Sequence, residues 1–238
     1  MASLAHPTEA AERIIVALDV PDEESLKGLL DALGPRVGLA KVGLELYTAL
    51  GPRAVSLVTE RGLGVFLDLK LHDIPNTVAG AVRAASVPGV CLLTIHAAGG
   101  HRMIEAAVEA ASDSHPRPAV IAVTVLTSLA PADLGQIGLP VDSSLAVARL
   151  ADLALGAGAD GLVCSPREVR SLRQRFGPEP LLITPGVRPK DAARDDQART
   201  ATPAEAVAAG ADYLVIGRPI TRAPDPAAAL GAIVAGMI

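Results

Sequence analysis

Short apolar runs, rich in β-branched residues, recur along the chain and alternate with segments of a different periodicity. The segments between them, such as EESLKGLLDAL (23–33) and TPAEAVAAG (202–210), have apolar residues at helical spacing. Continuous apolar strands alternating with helices are typical of a parallel sheet covered by helices. The predicted strands are RIIVALDV (13–20), VGLAKVG (37–43), GVFLDLK (64–70), VCLLTIH (90–96), AVIAVTVL (119–126), GLVCS (161–165), LLITPG (181–186) and YLVIGR (213–218).

Eight strand–helix units in 238 residues predict one closed (β/α)8 barrel, a TIM barrel, over residues 1–238. A doubly wound open sheet is the alternative. Such sheets normally bind phosphate at a Gly-rich turn after the first strand, and the corresponding segment here, ALDVPDEES (17–25), contains no glycine. Residues 1–12 precede the first unit and are expected to form a flexible extension.

Helix-start signals agree with this division. Asp22 is expected to cap the first helix, and Thr202 followed by Pro203 and Glu205 forms a capping-box pattern. In the loop HDIPNT (72–77), Asn76 or Thr77 is the expected N-cap of the following helix.

Composition and charge exclude several classes of function. The net charge is −5 without a basic block, which argues against a broad nucleic-acid interface. No secretory signal and no continuous apolar stretch of about 18 residues is visible, so a cytoplasmic protein without a membrane span is expected. Cys91 and Cys164 lie in apolar runs without metal-ligand spacing, and no metal site is predicted.

Charged and polar residues cluster at the predicted carboxyl ends of the strands, where barrel enzymes place their chemistry. Two of the four lysines, Lys41 and Lys70, lie inside apolar strands, and a buried lysine is costly unless it is paired. The other strand-end candidates are Asp19, Asp68, His96, Thr124, Thr127, Ser165, Thr184 and Arg218. For His96, a hydrogen-bonded rim residue and a ligand contact both remain open.

Asp68 and Lys70 are two positions apart, so a regular strand would direct both side chains to one face. Asp73 follows five residues after Asp68, beyond the strand end. It therefore need not enter the same barrel mouth and could project toward a neighbouring subunit.

The order and spacing of these motifs resemble the orotidine 5'-phosphate decarboxylase family, most closely its bacterial branch. The similarity runs from about residue 13 to residue 232. Its carriers are IIVALDV (14–20), AKVGLELY (40–47), VFLDLKLHDIPNTV (65–78), ITPGVRP (183–189), DQARTATPAEA (196–206) and ADYLVIGRPIT (211–221).

The resemblance implies decarboxylation of orotidine 5'-phosphate to UMP, without cofactor or metal, as the last step of de novo pyrimidine nucleotide synthesis. Lys70 would donate a proton to C6, Asp68 would lie beside the substrate carboxylate, and Asp73 would come from the partner subunit of a homodimer. The other implied contacts are with the ribose (Asp19, Lys41, and Thr77 of the partner), the pyrimidine edge (Thr127), the phosphate (Arg188, Gln197, Gly217, Arg218) and, again from the partner, Ile74.

Those residue types suit this chemistry. Loss of CO2 leaves an electron pair in an sp2 orbital at C6 that the ring delocalises poorly, so a cofactor-free enzyme must stabilise it electrostatically. An ammonium group beside C6 can stabilise that charge and then supply the proton. Neighbouring carboxylates favour the charged form of such an ammonium.

Two other functions remain open on the sequence alone. A metal-dependent sugar-phosphate decarboxylase or aldolase of the same superfamily would share the Asp-x-Lys-x-x-Asp pattern of residues 68–73 but would need Mg2+. A non-catalytic nucleotide-binding barrel would bind UMP without turnover.

Overall fold

Eight parallel strands close into a barrel in chain order, because the first strand pairs with the second on one side and with the eighth on the other. The computed structural model describes residues 6–34, 38–188 and 201–237. The closed order confirms the predicted barrel and excludes the open sheet. The strands are β1 (Ile14–Ala17), β2 (Leu39–Gly43), β3 (Gly64–Leu71), β4 (Val90–His96), β5 (Ala119–Val123), β6 (Gly161–Val163), β7 (Leu181–Pro185) and β8 (Tyr213–Ile216).

Helices surround the barrel, and every strand-to-strand connection that the structure describes in full contains at least one. They are α1 (Glu23–Leu33), α2 (Leu44–Leu50), α3 (Pro52–Thr59), α4 (Pro75–Ala85), α5 (His101–Ser112), α6 (Pro131–Gln136), α7 (Ser143–Gly156), α8 (Val169–Phe176), α9 (Pro203–Ala209), α10 (Arg218–Thr221) and α11 (Pro226–Ala235). Short 3-10 turns occupy Ala11–Arg13 and Ala97–Gly99.

The predicted caps are correct for two helices and wrong for one. Asp22 accepts a hydrogen bond from Ser25 N at the start of α1, and Thr202 with Glu205 forms the predicted capping box of α9. Helix α4 begins earlier than expected: its N-cap is Ile74, not Asn76 or Thr77. The reason is Pro75, whose fixed φ suits the first helical position and whose missing N–H costs nothing there.

Two apolar layers hold the fold together. The outer layer lies between the strands and the helices and includes most of the buried Leu, Val and Ala side chains. The inner layer fills the barrel itself and consists of Ile15, Leu39, Phe66, Leu92, Ala119, Ile121, Leu181, Ile183 and Tyr213. Side chains alternate along a strand, so residues two positions after this layer also point inward, toward the carboxyl-end mouth.

The amino-terminal segment lies against the opposite end of the barrel. Pro7 is buried, and His6 Nδ1 lies 2.8 Å from a carboxylate oxygen of Asp212, just before β8. The flexibility predicted for residues 1–12 stays a prediction, because contacts do not measure motion and residues 1–5 lie outside the described part.

Two aspartates connect adjacent strands at this amino-terminal end in the same way. Asp160, before β6, accepts the N–H of Val120 in β5 at 2.7 Å, and Asp212 accepts the N–H of Leu182 in β7 at 2.7 Å. Each carboxylate also binds one arginine: Arg117 pairs with Asp160, and Arg173 pairs with Asp212. Both aspartates follow a Gly-Ala pair, so the same short sequence forms the same connection twice.

Among the described residues, no helix has the length and apolar character needed to cross a membrane.

Removing the Asp212 carboxylate should destabilise the barrel. Asp212→Ala leaves Arg173 and the Leu182 N–H without this largely buried partner, so we expect a loss of about 3 kcal/mol in the free energy of unfolding. Asp152→Ala is the matched control, because it removes an exposed Asp–Arg pair, with Arg175, worth less than about 1 kcal/mol. Thermal unfolding of both variants measures the difference; equal melting temperatures would contradict the role given to Asp212.

Candidate active site

A cavity of about 260 Å³ opens at the carboxyl ends of the strands. Its polar lining consists mainly of residues that the sequence placed at strand ends, and its apolar floor is the top of the inner layer. Eight of the twelve predicted site residues line it: Asp19, Lys41, Asp68, Lys70, Thr127, Arg188, Gly217 and Arg218. Phe66, Val163 and Val215 also line the cavity and were not predicted, although the alternation of side chains along the strands could have identified them.

Four charges of alternating sign form a row along one side of the cavity. Lys41 Nζ lies 2.7 Å from Asp19 Oδ1 and 3.9 Å from Asp68 Oδ2. Lys70 Nζ donates to both oxygens of Asp68, at 2.9 and 2.8 Å. Since Lys41 and Asp68 are only 9% and 8% exposed, each needs its opposite charge in order to remain ionised at low cost.

The absence of a side chain at Gly43 makes room for this row. A Cβ at that position would lie 2.5 Å from Lys41 Nζ and 3.2 Å from Asp19 Oδ1. Any other residue would therefore displace the lysine from its carboxylate.

Lys70 reaches Asp68 by a route that the sequence did not predict. Instead of continuing a regular strand, Lys70 has φ 52°, and no other described residue except glycine has a positive φ. For a residue with a Cβ this conformation costs roughly 1–2 kcal/mol, and such strain is concentrated at functional sites. The prediction that the two side chains meet is confirmed, but the regular alternation on which it rested is not the cause.

An irregular pairing between β3 and β4 accompanies this conformation. Leu67 pairs with Leu93, and the next paired position in β3 is Leu71, opposite Ile95. Four steps along β3 therefore correspond to two steps along β4. The extra backbone contains Asp68 and Lys70, and the irregularity lies on the β4 side, since Asp68 keeps its regular pairing with Gly43 of β2.

Thr94, a residue that the sequence analysis missed, lies opposite this irregularity. It is fully buried; its hydroxyl accepts the N–H of Lys70 at 2.8 Å and donates to Asp68 Oδ1 at 3.0 Å. Its place two residues after Leu92 and two before His96 was the available signal, since it directs the side chain inward.

The two arginines line the cavity beyond the ends of β7 and β8. Arg188, which follows β7, is largely buried, and its N–H donates to the carbonyl of Ala201. Arg218 begins α10 directly after Gly217. A pair of guanidinium groups beside glycine backbone suits an anionic group such as a phosphate. Gln197, the remaining predicted phosphate contact, lies outside the described residues.

Asp73, Ile74 and Thr77 do not line the cavity of their own chain. All three are exposed, with Ile74 66% exposed. Asp73 Oδ1 accepts the N–H of Ile74, which holds the carboxylate at the start of α4. Leu44, at the start of α2, is also more than half exposed, as are Ile137 and Val141.

His96 is half-buried at the end of β4. Burial lowers its pKa below the usual value, and the nearby His72 and Lys70 lower it further, so the ring is neutral at neutral pH. Its ring centroid lies 5.4 Å from that of His72. His96 does not line the cavity as described, and of the two open interpretations the ligand contact receives no support from this geometry.

Other reactive side chains near the cavity do not form an alternative site. Burial raises the pKa of the Cys164 thiol well above its usual value, which leaves it protonated and unreactive. Within residues 6–34, 38–188 and 201–237 there is no group of three His, Cys, Asp or Glu side chains positioned to hold a metal ion.

Comparison with known proteins agrees with this geometry. The model of the orotidine 5'-phosphate decarboxylase / HUMPS family matches residues 12–233. A relative from Anaeromyxobacter sp. (strain K) named orotidine 5'-phosphate decarboxylase is 58% identical, over 95% of this chain and 99% of its own length.

A relative of the same name from Moorella thermoacetica is 56% identical, over 95% of this chain and 92% of its own. The crystal structure of orotidine 5'-phosphate decarboxylase from Lactobacillus acidophilus superposes with a TM-score of 0.83 at 39% identity, covering 94% of this chain and 98% of that one. This chain therefore belongs to the orotidine 5'-phosphate decarboxylase / HUMPS family.

Proposed function

We propose that Lys70, Asp68 and the partner subunit's Asp73 carry the reaction of this enzyme, the decarboxylation of orotidine 5'-phosphate to UMP in pyrimidine biosynthesis. The observation that supports the assignment best is the Lys70 ammonium, which donates to both oxygens of Asp68 in the barrel mouth. It is a fixed, paired cation in a cavity with a largely apolar floor. Such a group can stabilise a carbanion that the pyrimidine ring cannot delocalise.

Lys70 acts twice in the proposed reaction. While the C6–CO2 bond breaks, its positive charge stabilises the electron pair left at C6. Its proton then moves to C6 and completes UMP, leaving a neutral amine that regains a proton from solvent. The strained backbone at Lys70 supports this role, because it aims the ammonium before substrate arrives rather than during the reaction.

Asp68 would lie beside the substrate carboxylate when C6 faces Lys70, because Asp68 and Lys70 are in direct contact. Its negative charge repels that carboxylate, and the repulsion disappears as neutral CO2 departs. Binding energy from the remote phosphate would offset the repulsion in the bound substrate, so Arg218, Arg188 and Gln197 contribute to rate as well as affinity.

The other cavity residues are assigned to the remaining parts of the nucleotide. Asp19 and Lys41 hold the ribose hydroxyls, Thr127 contacts the pyrimidine edge, and the Gly217 backbone joins Arg218 at the phosphate. The placement of the residues on different strands supports this order: Asp68 and Lys70 belong to β3, whereas Arg188 and Arg218 follow β7 and β8.

A homodimer completes the site in this proposal. Asp73, Ile74 and Thr77 are exposed on their own chain and absent from its cavity, as expected if they enter the cavity of a second copy. The exposed Ile74 and Leu44 side chains provide apolar surface for such an interface. The cytoplasmic location expected from the sequence stays a prediction.

Lys70→Ala should abolish turnover while leaving nucleotide binding in place. We expect kcat to fall by at least about 10³-fold, because both electrostatic stabilisation and the proton are lost. The affinity for UMP, measured by calorimetry, should change by no more than about tenfold, since the phosphate and ribose contacts remain. Turnover is followed by the loss of ultraviolet absorbance as orotidine 5'-phosphate becomes UMP, in EDTA and in added Mg2+.

Lys27→Ala is the matched control, because Lys27 is an exposed lysine paired with Glu23 in α1. It should keep wild-type turnover. A wild-type rate that needs Mg2+ would favour the sugar-phosphate type of site, UMP binding without turnover would favour a binding barrel, and substantial turnover by Lys70→Ala would refute the proton-donor assignment.

Mixing two inactive variants tests the shared site. Lys70→Ala and Asp73→Ala subunits, each inactive alone, should recover up to about a quarter of the wild-type activity after random subunit exchange, because half of the dimers are mixed and each has one intact site of two. Exchange is verified independently by tagging one variant. If exchange occurs and activity does not return, Asp73 acts within its own chain or not at all.

Gly43→Ala should weaken nucleotide binding without unfolding the protein. The added methyl group meets the flexible end of Lys41 and crowds Asp19 Oδ1, so both members of this ion pair have to shift. We expect the Kd for UMP to rise by roughly ten- to a hundredfold. Gly28→Ala, in α1 with open space around the added Cβ, is the control and should bind UMP normally; equal affinities for the two variants would contradict the role given to Gly43.

A further inference from the structure

We propose that Thr94 is the positioning residue of this site: its single hydroxyl holds the Lys70 backbone and the Asp68 carboxylate in their reactive arrangement. The inference rests on the proposed function of Lys70 and Asp68 and extends it to a residue that touches neither substrate nor solvent. Thr94 is fully buried and does not line the cavity.

The pairing of β3 with β4 explains why a side chain is needed here. Between Leu67 and Leu71, β3 has four steps where β4 has two, so the backbone groups of the extra residues lack regular partners across the sheet. The Lys70 N–H is one of these groups. The Thr94 hydroxyl accepts it at 2.8 Å and takes the place of a strand carbonyl.

The same hydroxyl fixes the direction of the Asp68 side chain. Its only hydrogen is donated to Asp68 Oδ1 at 3.0 Å, while the Lys70 N–H takes one of its two acceptor positions. Lys70 Nζ donates to that same oxygen and to Oδ2. These contacts form a closed ring. Hydrogen bonds join the Thr94 hydroxyl to the Asp68 carboxylate and the carboxylate to the Lys70 ammonium; the lysine side chain leads back to the Lys70 N–H, which donates to the hydroxyl.

The ring provides a specific reason for the left-handed backbone at Lys70. With its N–H directed down to Thr94 and its ammonium directed to Asp68, the residue is held at both ends, and φ 52° is the conformation that results. Removing the hydroxyl leaves a partly buried N–H without a partner and removes one of the bonds that orient the carboxylate. Both groups nearest the reacting C6 atom are then free to move.

Substitutions of Thr94 distinguish positioning from packing. Thr94→Val keeps the shape of the side chain and removes the hydroxyl; we expect kcat to fall by about ten- to a hundredfold, as displacement of reacting groups by about 1 Å can cause. The Kd for UMP should stay within about threefold, because the ribose and phosphate contacts are untouched. Thr94→Ser restores the hydroxyl and should recover most of kcat.

Thr124→Val is the matched control. Thr124 is also buried, and its hydroxyl donates to the carbonyl of Val163 at 3.0 Å, with no hydrogen bond to the charge row. It should lose a similar amount of thermal stability but keep kcat within about twofold of wild type. If Thr94→Val does not fold, Thr94→Cys replaces it: cysteine matches serine in size but is a weak hydrogen-bond donor, so its kcat should fall well below that of Thr94→Ser.

Two results would overturn the proposal: a Thr94→Val kcat equal to that of Thr124→Val, or parallel losses of kcat and UMP affinity, which would indicate general disruption of the site. Lys70→Ala is assayed alongside. If it retains turnover, the function proposed for Lys70 fails whatever Thr94 does. If it is inactive while Thr94→Val is fully active, only the positioning role fails.

Discussion

The structure depends on the Asp68 carboxylate, because it is the anion between two lysines at the mouth of an apolar barrel. Lys70 binds both of its oxygens, and Lys41 lies 3.9 Å from one of them while binding Asp19 on its other side. Lys41 and Asp68 are buried, and burying either charge without a partner would be costly. Together the four groups form a row whose negative and positive members compensate one another, and the cavity is built around that row.

Keeping such a row in place requires departures from ideal barrel geometry. Gly43 has no side chain, which leaves room for the end of Lys41. The β3 strand has two more residues than β4 in the segment that contains Asp68 and Lys70. Each departure weakens regular strand structure locally. The layer below compensates for it, since the strands beneath the charged row are held by the apolar side chains that fill the barrel, including Ile15, Phe66 and Leu92.

Much of this arrangement could be predicted from the sequence, and the rest could not for identifiable reasons. Eight apolar runs separated by helical periodicity predict the barrel, and lysines inside two of those runs require carboxylate partners, which identified Lys41 and Lys70. The positive φ of Lys70 has no sequence signal, because a lysine is not a residue that favours that conformation.

Side-chain contacts between distant segments were equally hidden. Thr94 resembles an ordinary strand threonine until the β3 pairing is known. The start of α4 is different, because Pro75 in the sequence was enough to predict it correctly. The resemblance to a family supplied the role of Gln197; for Asp73 it added a catalytic role to the position beyond the strand end that the residue pattern indicates. The structure leaves the first outside its described residues and the second exposed on its own surface.

The two Asp–Arg pairs at the amino-terminal end have a consequence for how such a protein can diversify. Asp160 and Asp212 join neighbouring strands at the end of the barrel farthest from the cavity, so neither shares a hydrogen bond or an ion pair with the charged row. Mutations that change the cavity at the carboxyl ends of the strands therefore leave the contacts of Asp160 and Asp212 in place. Inherited change can accumulate at one end of the barrel while selection for folding acts on the other.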